Sequence, residues 1–349
     1  RSLTLTDSAS AIDFGEMFQE KINDKRALRA LIQAHSKCGN FVKPLEYLKQ
    51  MPKDKWRYEQ EKKFEPATRI ISGGLKIKMP KSSKLHHTSN SVIYHASQSM
   101  PHTTSGYAIR THGLLSSLEK QDVNIRAILR YGYPLDRSDF GKNSVDLIEE
   151  IDNVKYYFTH SERKQKTLIN YQEVYNFNSI EKYFRRSISS LINYSSQFNP
   201  RVIHSASNFV VGMAGARAAK ALGIKSIYEI RGFWHLTQST KRVGYEKSDH
   251  YNLSERLEIE TAKMSDHVFT ITSALRDILI QEGVNEDKIS VLPNAVDPEK
   301  FTIKQKDKNL EKQLDFKDKV VIGYIGSFVK YFPKKSVKPN KILIIVGFI

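Results

Sequence analysis

From residue 91 onward the chain alternates short runs rich in β-branched and aromatic residues with longer stretches of helical period, and this alternation restricts the fold more than any other feature. The strand candidates are 92–95, 125–129, 202–204, 226–230, 267–271 and 289–292, and apolar residues recur at three and four over 107–120, 179–197, 209–222, 253–264 and 273–282. A strand followed by a helix and another strand, repeated this way, predicts an α/β domain: a doubly wound parallel sheet covered on both faces. Ligands of such sheets lie at the carboxyl ends of the strands, so chemistry is expected in the loops that follow them.

Composition narrows the class. With 349 residues, 40% of them hydrophobic and 27% charged, the chain can bury a core in two or three domains. Gly 17 and Pro 11 exclude collagen-like and low-complexity chains, and a single cysteine, Cys38, excludes an internal disulfide framework and a Cys-rich zinc site. The net charge of +17 favours anionic contacts without choosing among phosphates, nucleic acid and an acidic membrane. The longest apolar stretch, 342–349, is far short of the roughly 20 residues of a membrane-spanning helix. A soluble or peripheral protein, cytoplasmic and at most touching the inner face of a membrane, is expected.

The amino-terminal part reads differently. Helical period over 27–35 and 42–51, interrupted by Gly39-Asn40, predicts a helix, a turn and a helix. The pair resembles one unit of a tetratricopeptide or pentatricopeptide solenoid. One unit cannot bury both faces, and no second copy follows, so either further units precede it or the hairpin packs on the next domain. The charged run 53–63 reads as a solvated helix end and 73–90 as a linker. At the other end, 320–327 reads as a buried strand entering a glycine turn, and 332–340 has two prolines and no helical period. Residues 301–349 carry 11 Lys against 4 acidic residues. The expected divisions are a helical segment and linker at 1–88, an α/β domain at 89–300, a linker and first strand of an incomplete second domain at 301–331, and a tail at 332–349. The opening Arg1 and the altered composition after Tyr331 point to cut or frame-shifted edges.

Several post-strand loops are candidate sites. After the first strand, Gly106 lets a substrate approach the backbone at a helix start, whereas the plain alternative is a turn capped by Ser105. Glu229 and Arg231 stand at a strand end beside Phe233 and Trp234, which is either a polar site with a sugar-stacking face or an internal ion pair with both aromatics in the core. Five histidines between His86 and His112 lack the paired spacing of a metal site, so no metal is expected. Gly212, Gly215 and Gly223 fit close helix packing better than a nucleotide fingerprint, and 293–298 is a turn by composition.

Together these loops resemble the retaining glycosyltransferases of family 4, with the GT-B architecture of two Rossmann-like domains facing a cleft. The resemblance rests on 105–113 (Ser105, Gly106, Tyr107, Arg110, His112), 130–134 (Arg130, Tyr133, Pro134), 228–234 (Glu229, Arg231, Trp234), 260–272, 282–297 (Asn294, Asp297) and 323–327 (Gly326), in order over residues 92–327. It implies sugar transfer from a nucleotide-sugar donor to a glycan or lipid-linked acceptor with retention of configuration and no metal cofactor. By position, it implies that Glu229 and Arg231 are catalytic-cleft residues, that Ser105, Gly106, Tyr107, Arg110, His112 and Trp234 bind substrate, and that Arg130, Tyr133 and Pro134 line the acceptor loop. It also implies substrate binding by Asn294 and Asp297 of the interdomain turn, for which a structural role is the alternative, and by Gly326 at the donor domain's first turn. The sequence departs from the family in having Ser105-Gly106 where two glycines are usual, and in lacking the basic donor residues and Glu-x7-Glu motif of the second domain. An intact protein of this kind would be a hexosyltransferase of polysaccharide biosynthesis, with the present chain expected to hold chiefly the acceptor half and to be inactive alone. The alternatives are a non-catalytic remnant, or a helical-repeat adaptor or RNA-binding protein. Nucleic acid is the less expected partner, since repeat readers of RNA need several stacked units.

Overall fold

The computed structural model describes residues 8–17, 24–85, 90–163, 168–313, 315, 320–325 and 342–347. Residues 1–294 form one compact unit and 295–349 a second.

The first unit opens with four helices: α1 (Ser8–Met17), α2 (Lys25–Cys38), α3 (Val42–Lys49) and α4 (Lys55–Gly73). Asp24 starts α2 by accepting from Arg26 N, and Gly39, at φ +94°, ends it in the left-handed region that glycine tolerates. The run expected to be a solvated helix end at 53–63 instead opens a 19-residue helix, capped by Asp54 through Arg57 N. Its buried residues, Phe64, Ala67 and Ile70, recur every three positions.

The α/β part follows in the expected alternation: β1 (Ser91–Ala96), α5 (Gly106–Glu119), β2 (Asn124–Leu129), β3 (Ile148–Ile151), β4 (Val154–Tyr157), α6 (Tyr171–Tyr175), α7 (Ile180–Phe198), β5 (Val202–Ala206), α8 (Phe209–Leu222), β6 (Lys225–Ile230), α9 (Trp234–Ser239), α10 (Asp249–Met264), β7 (His267–Thr270), α11 (Ser273–Gln281) and β8 (Ile289–Val291). The strands join in one sheet of order β3-β4-β2-β1-β5-β6-β7-β8. All neighbours are parallel except β3, which pairs antiparallel with β4 as an edge hairpin absent from the sequence reading. With exposed Ile148 and charged Glu149 and Glu150, β3 has too short and mixed a pattern to signal a strand. Close helix packing at Gly212 is met: a Cβ there would lie 2.3 Å from the Tyr228 ring.

The amino-terminal helices share the sheet's core. Leu31, Ile32, Tyr47, Leu48, Phe64 and Ile70 join Phe184 and Leu191 of α7, Met213 of α8 and Leu257 of α10 in one hydrophobic cluster. Asp249, at the start of α10, accepts from Phe41 N at 2.7 Å and Val42 N at 2.9 Å, and Arg256 donates to the carbonyls of Ile70 and Ile71. The inner face of the hairpin is thus spent on the sheet domain.

The second unit contains α12 (Lys308–Gln313) and a parallel pair, β9 (Val320–Ile325) and β10 (Ile342–Gly347). β10 falls within the stretch expected to be a tail. Gly326 and 332–340 lie outside the described residues.

Candidate functional site

The carboxyl ends of β1, β5 and β6 converge on Glu229, the penultimate residue of β6 and fully buried. Its Oε2 accepts from Tyr94 Oη at 2.6 Å and from Arg231 Nη2 at 3.3 Å, and its Oε1 from Arg231 Nε at 3.0 Å and Arg110 Nε at 3.1 Å. His204 Nε2 lies 3.3 Å from Oε2, at ion-pair distance without the alignment of a hydrogen bond. Burial alone would raise the Glu229 pKa, but the nearby His204 ring and the charge and hydrogen bonds of Arg231 outweigh it and hold the group well below the usual glutamate value. Glu229 is therefore a buried carboxylate.

Arg231 closes the network. Nη1 donates to Tyr107 O at 2.9 Å and Thr111 Oγ1 at 2.8 Å, Nη2 donates to Tyr94 Oη at 2.6 Å, and the backbone N–H donates to Ser207 Oγ at 2.7 Å. Arg110 extends it, reaching Asn294 Oδ1 at 2.7 Å and the carbonyls of Pro293 and Leu292. One carboxylate thus ties the start of α5 to the exits of β6 and β8. Of the two readings of Glu229 and Arg231, the geometry has the form of the internal ion pair: every side-chain polar atom of the two has a partner within the protein, so the pair braces the strand-end surface.

That surface is built by their neighbours. Ser105 caps α5 through Ala108 N at 3.3 Å, and Gly106 is exposed, with open space where a Cβ would stand. The turn is thus a capped helix with an accessible first turn. Gly232, at φ +149°, turns the chain from Arg231 to Phe233. Phe233 is buried, but Trp234 keeps 38% of its surface exposed, its ring 6.3 Å from that of Tyr107 and tilted by 48°. Of the two aromatics after β6, one is core and the other a surface shelf.

Other expected site residues lie elsewhere. Arg130 is buried in a bidentate pair with Asp136 and stacks 4.0 Å over the Tyr171 ring. Tyr133 is buried, its hydroxyl donating to Ser99 O at 2.9 Å and meeting Thr103 Oγ1 at 2.8 Å, and Pro134 is buried beside it. This loop is pinned to the exit of β1, with all three side chains buried. His112 faces the edge hairpin, with Nδ1 2.8 Å from Tyr156 Oη and Nε2 2.9 Å from Asp152 Oδ2. Asp297, in the second unit, accepts from Glu299 N and caps a short turn. Among the described histidines of the 86–112 cluster, His95 is buried within β1 and His102 meets Glu149 at 3.0 Å, and among the described residues no group of three potential ligands is placed to hold a metal.

Sequence reasoning missed Tyr94, His204 and Glu258. The first two pair across β1 and β5, a signal available from strand register. Glu258, on α10, accepts from Phe209 N at 2.9 Å and from Tyr228 Oη, and burial pushes its pKa up to about 7. It satisfies the amide at the start of α8, a position no local pattern reveals.

The first unit is thus a Rossmann-like α/β domain with a polar hub sealed beneath its strand ends. Residues 155–300 match the family model of Glycosyltransferase Family 4. No curated protein matches the sequence. Similar solved structures include Anabaena HepE in complex with UDP-glucose (11% identity, 73% of this chain and 60% of that one, TM-score 0.45). Two others are S. aureus MnaA with UDP (14%, 74% and 62%, 0.42) and the Neisseria meningitidis UDP-GlcNAc 2-epimerase bound to UDP-GlcNAc (17%, 68% and 57%, 0.40). The chain spans less than two thirds of the length of each. No helix among the described residues is long and apolar enough to cross a membrane.

Proposed function

We propose that the first unit forms the acceptor side of a retaining hexosyltransferase that moves a sugar from a nucleotide-sugar donor to a glycan or lipid-linked acceptor in polysaccharide assembly. The carrying observation is the shelf of Tyr107 and Trp234 beside the open first turn of α5, in a chain with a family 4 segment. An aromatic face suits the apolar face of a sugar ring, and free helix N–H groups suit its hydroxyls or a phosphate. The Glu229 network orients this surface by fixing the Tyr107 carbonyl and Thr111 through Arg231. In the proposed reaction the anomeric carbon–oxygen bond to the diphosphate breaks, the acceptor oxygen bonds that carbon on the same face, and the acceptor proton passes to the departing phosphate oxygen. Helix N-termini and basic side chains would neutralise the diphosphate without a resident metal. We place the protein in the cytoplasm, meeting an anionic membrane surface electrostatically through its net charge of +17. Vesicle flotation that is indifferent to salt would count against that contact.

The chain has 2 Trp, so a Trp56→Phe background leaves Trp234 as the sole indole reporter. Titration with nucleotide sugars and with free or lipid-linked oligosaccharides should give a saturable change in its fluorescence. Calorimetry on Trp234→Ala should show binding weakened by about fivefold, as loss of about 1 kcal/mol of aromatic contact implies. No saturable change with either ligand class would end the proposal.

A further inference from the structure

A cavity of about 590 Å³ opens where β2 and β4 end, walled by α7 and rimmed by the extended segment at 78–81. It shares no lining residue with the shelf of Tyr107 and Trp234. Lys78, Lys81, Arg185 and Arg186 line it together with Ser189 and Ser190, and no carboxylate is among its lining residues. The α7 positions 185, 186, 189, 190 and 193 form one stripe at helical spacing, while the opposite stripe, Phe184, Ile188 and Leu191, is in the core. The helix thus presents a cationic and hydroxylated face to a concave space.

Several arginines elsewhere in this unit are matched by acids, as Arg130 is by Asp136, Arg69 by Glu181 and Arg137 by Asp139. Among the described residues, no carboxylate lies at ion-pair distance from Lys78, Lys81 or Arg185. His160, also in the lining, sits in the same field: burial and then the charge of Arg186 hold its pKa below the usual value. Its Nδ1 meets Thr159 Oγ1 at 2.8 Å, and that hydroxyl already accepts from Gly132 N at 2.9 Å.

We propose that this cavity is an anion subsite for a phosphate-bearing ligand, independent of the strand-end surface. Adjacent guanidinium forks with serine hydroxyls match the several acceptor oxygens of a phosphate better than the two of a carboxylate. The same group could arrive on a free metabolite or on a lipid headgroup.

The test uses the full chain and a double charge reversal of exposed rim residues, Lys81→Glu with Arg185→Glu. A control, Lys49→Glu with Lys120→Glu, makes the same change in net charge at residues that do not line the cavity. Binding of inorganic pyrophosphate is measured by calorimetry, and binding of vesicles of phosphatidylcholine and phosphatidylglycerol in equal parts by co-sedimentation, with folding of each variant checked by circular dichroism. Saturable pyrophosphate binding that weakens about tenfold or more in the rim variant, with the control unchanged, supports a soluble ligand. Vesicle binding without pyrophosphate binding, lost in the rim variant and kept in the control, supports a headgroup. Binding of neither probe, or equal binding by rim and control variants, overturns the proposal. Pyrophosphate held at the strand-end surface would survive the rim substitutions and falls under that last outcome.

Discussion

Replacing Glu229 by glutamine keeps its shape and removes one negative charge from a site that holds two arginines. In the wild type the carboxylate is fully buried and faces Arg231 at 3.0 Å, Arg110 at 3.0 Å and His204 at 3.3 Å. The amide of Glu229→Gln can accept at one oxygen only, and its NH2 would be turned toward groups that are themselves donors. Breaking a buried ion pair from one side typically costs about 3–5 kcal/mol, because the remaining charge stays desolvated. About 4 kcal/mol in a domain of this size corresponds to a fall in Tm of roughly 10 °C. The pH dependence carries the same signature. A depressed carboxylate pKa contributes stability that is complete above the usual glutamate value of 4.5 and is lost as pH falls through the folded-state value, so wild type and variant should converge in acid. Differential scanning calorimetry between neutral pH and the acid limb reads both effects. Coupling should show in a cycle with Arg231→Met, the double variant losing less than the sum of the singles. A Glu229→Gln protein with wild-type Tm and abolished ligand binding would refute the buried-brace reading and return Glu229 to the cleft surface.

Glu258→Gln should act in the opposite sense. With its pKa raised to about 7 by burial, Glu258 favours the folded state when protonated, so its contribution is full below 4.5 and declines as pH rises to about 7. That shift amounts to about 3 kcal/mol. The amide can accept from Phe209 N and donate to the Tyr228 hydroxyl, so stability measured by urea unfolding should rise relative to wild type above pH 7, and a parallel pair of pH profiles would contradict this. Gly212→Ala drives a Cβ to 2.3 Å from the Tyr228 ring and should cost about 1–3 kcal/mol of overpacking, read as a lower urea midpoint. Asp249→Ala removes the acceptor of two backbone N–H groups at 41 and 42 and should cost about 1–3 kcal/mol, with faster limited proteolysis within residues 24–85; unchanged cleavage would show that the helical segment is held by its apolar face alone.

The α/β architecture was legible because its signals are local. The parallel strands β1, β2, β5, β6, β7 and β8 announced themselves by short β-rich runs, α8 began and ended at the residues its period indicated, and Ser105 carried a cap signature that the fold uses. The neighbourhood of the site was legible too, because parallel sheets gather their loops at the strand carboxyl ends. The edge hairpin was missed since half of the β3 residues face solvent and both strands are only four residues long, which leaves no apolar period. The helical segment looked separable since its amphipathic face is visible in sequence, whereas the surface that covers it is not. Charge pairing was decided only in three dimensions. Glu229 and Arg231, two residues apart, advertise a polar loop, but Arg110 approaches from 119 residues away, Tyr94 from 135 and Leu292 to Asn294 from β8. Whether a carboxylate at a strand end meets solvent or is sealed by arginines depends on these distant partners, because desolvation and Coulomb energy are set by what surrounds a group in space, whereas periodicity reports only what adjoins it along the chain.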